Sequence, residues 1–182
     1  LCRIRNMNPD IIETWAIKIA EVAAPDELDF APLMTEAFIS GGKERESLFS
    51  QKKECVLGGF GITEIMTVFP LILQSIANSS QLLTQILSPV SAIKDIQSIL
   101  NEIKNKKETV SLNQSRTEAL PEEFCAGLKT LLETFTDEIC KSGLPKKESE
   151  VIAYRTLMRL LDNPSSSILF VNILSKPEKA KS

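Results

Sequence analysis

A chain of 182 residues with 43% hydrophobic and 25% charged residues has enough apolar material for one ordinary folded domain, or two small ones. Its net charge of −3 and short basic runs (Lys52-Lys53, Lys104 to Lys107) disfavour a nucleic-acid role, which needs clustered cations. Histidine is absent, which removes Ser-His and Cys-His nucleophile pairs and the commonest general base and metal ligand.

The four cysteines (Cys2, Cys55, Cys125, Cys140) contain no C-x-x-C pair, so neither a zinc site nor any other cofactor site is expected. They read as reduced, mostly buried thiols of a cytoplasmic protein. The ordered pattern begins just after Met7, which makes Met7 the expected start and residues 1–6 a disordered or spurious extension.

Helical spacing of Ile12, Trp15, Ile19 and Val22 predicts a first helix, with Asp10 as its cap and Ala23-Ala24-Pro25 as its end. Asp26 or Asp29 is expected to cap a second helix that buries Phe30, Leu33, Met34, Ala37 and Phe38, with Pro32 in its first turn. Gly41-Gly42 stops it. Residues 43–53 read as a short surface helix anchored by Leu48 and Phe49.

From Cys55 to Ile93 only Glu64 is charged. Gly58-Gly59-Phe60-Gly61 reads as a hinge. From Ile62 the chain is apolar apart from a stripe at Thr67, Gln74, Asn78, Gln81, Gln85 and Ser88, with Pro70 in the same series. An unbroken helix over 62–88 would be about 40 Å long and kinked at Pro70. A helical hairpin turning at Asn78-Ser79-Ser80 is the preferred alternative. Ser88-Pro89 is expected to start a further helix through Ile103, and residues 105–120 read as a polar loop or linker.

Beyond Pro121, the stripe Phe124, Leu128, Leu131, Phe135 and Ile139 predicts a helix stopped at Gly143. Val151, Tyr154, Leu157, Met158 and Leu161 mark the next, closed by Asn163-Pro164, and Ser165 is expected to cap a last short helix over Ile168 to Leu174. A strand is the weaker reading of that segment. Residues 176–182 read as a disordered tail.

The expected fold is therefore all-α: a compact bundle of about six to seven helices around a largely buried central helix lying in 62–88. Residues 7–104 form its N-terminal part, and 121–175 a helical hairpin plus a short helix on the same core.

The candidate motifs carry little chemistry. Gly58-Gly59-Phe60-Gly61 matches neither nucleotide-binding glycine pattern, and Glu64 would repel a phosphate. Gly41-Gly42-Lys43 is followed by Glu44 where a phosphate loop needs Ser or Thr. Cys125 stands near a helix start, but Glu122 and Glu123 oppose thiolate formation there. The acidic group Asp26, Glu27, Asp29 and Glu36 reads as a solvated face.

No catalytic, cofactor-binding or metal-binding residue is assigned, and the chain is not expected to be an enzyme. The leading expectation is a non-catalytic helical interaction or accessory module with a protein partner or self-association. A membrane-active protein whose 56–88 segment inserts into lipid is the alternative. An enzyme using carboxylates or lysine without histidine ranks third, and small-molecule binding is left open.

Overall fold

In a computed structural model the described residues are 9–50, 67–90 and 122–176. They form α1 (Pro9–Ala23), a 3-10 turn (Pro25–Phe30), α2 (Ala31–Ser40), α3 (Gly42–Ser50), α4 (Phe69–Asn78), α5 (Ser80–Val90), α6 (Glu122–Cys140), α7 (Lys146–Asp162) and α8 (Pro164–Leu174). The fold is an all-helical bundle whose helices pack against each other. Eight α-helices are described against the six or seven expected, because the central element is two helices and the short α3 counts as one.

The central element is α4. Seven of its ten residues are buried (Phe69, Pro70, Leu71, Ile72, Leu73, Ser75, Ile76), and α2, α5, α6 and α8 pack around it. Pro70 does not kink a long helix. It stands in the first turn of α4, where a missing N–H costs no intrahelical bond. The helix is interrupted at the single residue Ser79, between α4 and α5, where the favoured break falls, but no hairpin forms: bonds from Ser79 N–H to Ser75 O and from Leu83 N–H to Ser79 O carry the ladder through the interruption. Pro89 falls in the last turn of α5 rather than opening a new helix. The hinge at 58–61, the linker at 105–120, residues 1–6 and most of the 176–182 tail lie outside the described residues.

The N-terminal helices depart from their expected phase. Neither Asp26 nor Asp29 caps α2; Phe30 occupies its N-cap position without a side-chain cap bond. The intervening 3-10 turn has three residues per turn, which resets the helical phase. The inward face of α2 becomes Ala31, Thr35 and Phe38, an i, i+4, i+7 set. Leu33 then points about 160° away from that face at 100° per residue. Phe30 and Leu33 are 53% and 64% exposed, contrary to the expected core stripe. Gly41 and Gly42 both have positive φ (71° and 53°), so the stop before α3 is a left-handed turn that glycine adopts without a Cβ clash.

All five apolar residues expected to face the core from α6 are buried. The short Lys141–Pro145 turn lets α6 and α7 pack along each other as a hairpin. Gly143 has φ 88° there with open space around a Cβ, so Gly143→Ala should cost about 1 kcal/mol through backbone strain alone. Gly143→Asn should cost less, because asparagine tolerates that region, and thermal melts of the two variants check the order.

α7 is phased differently from its expected stripe. Its buried face is Ser149, Ala153, Thr156, Leu157, Leu160 and Leu161, while Val151 is 43% exposed. Small residues let α7 lie on α1 as well as on α6. Ser149 is fully buried, and its Oγ has no hydrogen-bond partner among the described residues. An unmatched buried hydroxyl costs free energy, so Ser149→Ala should stabilise the fold by up to about 1 kcal/mol, read as a raised urea midpoint.

α8 is a helix, not a strand. Asn163, not Ser165, caps it: its side chain accepts from the Ser166 N–H at 3.3 Å, with Pro164 in the first turn. It packs against α1, α2, α4, α5 and α7, so this last described helix belongs to the core.

Candidate functional site

The sequence motifs scatter rather than converge. Gly41-Gly42-Lys43 is a helix stop. Gly58-Gly59-Phe60-Gly61 lies outside the described residues. Cys125 and Cys140 are free thiols at half-buried positions, less covered than the buried cysteines expected. Among the described residues no group of three His, Cys, Asp or Glu side chains could hold a metal ion.

The polar stripe of the central segment has two destinations. Gln74 accepts from the Arg45 guanidinium at 2.9 Å and donates to Asn78 Oδ1 at 2.8 Å. Arg45 also lies 3.9 Å over the Phe38 ring, which joins α3 to α2 and α4. Asn78, Gln81 and Gln85 line a shallow, open depression with Ser79, Leu82 and Thr134. Among the described residues its lining is Leu82 with uncharged amides and hydroxyls, which offer hydrogen bonds.

The acidic group divides by role. Glu27 turns inward: its two carboxylate oxygens accept from the Val68 and Phe69 N–H groups at 2.7 and 3.1 Å, at the start of α4. Asp26, Asp29 and Glu36 stay exposed. Their neighbours in sequence, Phe30 and Leu33, are the two most exposed large apolar side chains among the described residues. The outward side of α2 thus carries the exposed Leu33, with the exposed carboxylates Asp29 and Glu36 at helical spacing from it.

Phe30 and Leu33 fit an α-helical stripe, which places both in the core by periodicity alone. The signal for the opposite phase was Asp29, Leu33 and Glu36, which recur at helical spacing of their own. Neither protein-family models nor curated proteins nor solved structures give a match to this chain.

Proposed function

We propose that the chain is a non-catalytic helical interaction module, acting in the cytoplasm through protein–protein contacts. The outward face of α2 supports this reading best. Leu33 is 64% exposed there, with the exposed carboxylates Asp29 and Glu36 at helical spacing from it, and a partner lying on that face would cover it. The carboxylates that are fixed in place serve the fold: Glu27 holds the α4 start, and Glu21 pairs with Arg159 at 3.4 Å. Proximity crosslinking in cells, followed by reconstitution of the complex from purified components, tests the proposal. A saturable complex of defined stoichiometry is the expected result. A chain that forms no complex and turns over a phosphoester, ester or glycoside substrate would refute it.

A second reading, insertion of 56–88 into lipid, is favoured by one observation. Residues 67–90 carry no charged side chain and hold α4 and α5. Among the described residues no helix is long and apolar enough to cross a membrane. The ten residues of α4 span about 15 Å, half of a ~30 Å bilayer core. Its apolar side chains are already packed within the bundle, so insertion would require α4 to leave the core. Liposome flotation and dye release at neutral and mildly acidic pH decide it: protein that never floats removes this reading.

A further inference from the structure

We infer that α3 is a strap over the core, hinged at Gly41-Gly42 and latched by Arg45, which opens as a unit while the rest of the bundle stays folded. Opening uncovers the Phe38 ring and the Gln74 amide. The inference goes beyond the interaction-module reading and does not depend on it.

The hinge lies in the backbone. Gly41 has φ 71° and ψ −166°, a region open in practice only to glycine, and Gly42 follows with φ 53°. Two consecutive residues without a Cβ let the link between α2 and α3 take up a large change in direction at little cost.

α3 is held lightly. None of its nine residues is buried, which is true of no other described α-helix. Among the described helices it packs chiefly on α2. The Ser47 and Ser50 hydroxyls donate to Glu44 O and Glu46 O of the same helix, at 2.6 and 2.8 Å, so those bonds do not fasten it to the core. Few side chains do. The Arg45 guanidinium lies 3.9 Å over the Phe38 ring and donates to Gln74 Oε1 at 2.9 Å. Phe49 meets Phe38 edge-on at 6.4 Å between centroids, and Leu48 is half-buried against the core. An element with so little buried apolar surface opens at a small fraction of the global unfolding free energy. Arg45 is the one side chain that grips both neighbours, Phe38 on α2 and Gln74 on α4, which makes it the latch.

Native-state hydrogen exchange of the full chain, read amide by amide by NMR, tests the strap. In the parent, the amides of Glu46 to Ser50 should exchange about tenfold or more faster than the amides of α4. Arg45→Ala removes the ring contact and a charge-assisted bond, and should speed α3 exchange about tenfold further while α4 and α6 keep the parent's rates. Gln74→Ala should speed α3 less, and adding it to Arg45→Ala should change little, since both remove one contact. Arg45→Lys keeps the charge without the planar fork and should fall between parent and Arg45→Ala; it also serves if Arg45→Ala folds poorly.

The inference is overturned if α3 and α4 exchange together at the rate of global unfolding, or if the Arg45 variants leave α3 at the parent's rate. It is also overturned if they speed α3, α4 and α6 alike, because the contact would then be part of the common core rather than a latch on one helix.

Discussion

Replacing Trp15 by alanine is expected to cost about 3–5 kcal/mol, the largest loss of any single substitution considered for this chain. The ring is 1% exposed and lies at the meeting of α1 and α8. It stacks on Phe170 at 6.0 Å between centroids with planes 20° apart. Its Nε1 donates to Ser166 Oγ at 2.8 Å, and Lys18 Nζ stands 5.2 Å from the ring centre. Truncation would leave a cavity between helices that are joined only through the fold, 151 positions apart at that hydrogen bond. Trp15→Phe separates the contributions: it keeps most of the apolar volume, loses the donor, and should cost about 1 kcal/mol for the missing bond. Urea unfolding followed by far-UV circular dichroism measures both variants, since the chain has only this tryptophan. A Trp15→Ala midpoint equal to the parent's would show that α8 is not held on α1 by this contact.

The legible parts of the fold are those where large apolar residues alone define the inward face. In α6, Phe124, Leu128, Leu131, Phe135 and Ile139 are all buried, with only the smaller Gly127 and Thr136 beside them, so periodicity sufficed. In α1 the same holds for Ile12, Trp15 and Ile19, while Val22 at the end of the expected stripe is half-buried. α7 was misphased because Ser149, Ala153 and Thr156 take buried positions for their small size, and a count of hydrophobic residues gives them no weight. In α2 the 3-10 turn changes the residues per turn just before the helix, and no single residue announces it. α8 shows a further limit. It touches five other helices, so its apolar residues are not confined to one stripe and its place in the core cannot be read from periodicity. The outward face of α2 was hidden for the same reason as its phase: Leu33 counts as core in a helix that starts one turn earlier. Its carboxylates, by contrast, were visible in the sequence as an acidic group.

Glu27→Ala should destabilise the protein by about 2–3 kcal/mol, because it removes two hydrogen bonds to a charged acceptor at the start of the central helix. The four N–H positions that open a helix lack intrahelical partners. For α4 these are Val68, Phe69, Pro70 and Leu71. The Glu27 carboxylate takes the first two, and proline has no N–H to satisfy. α4 has no side-chain cap of its own at Val68, so the cap comes from 41 residues upstream. A negative charge is also the favourable sign at that helix end. Glu27→Gln keeps one acceptor oxygen and should lose about half as much. Denaturant unfolding monitored by Trp15 fluorescence gives the stabilities, and hydrogen exchange at Val68 and Phe69 reports the cap itself. Faster exchange at those two amides with an unchanged core is the signature of a lost cap; exchange equal to the parent's in Glu27→Ala would show that the carboxylate is not what holds α4.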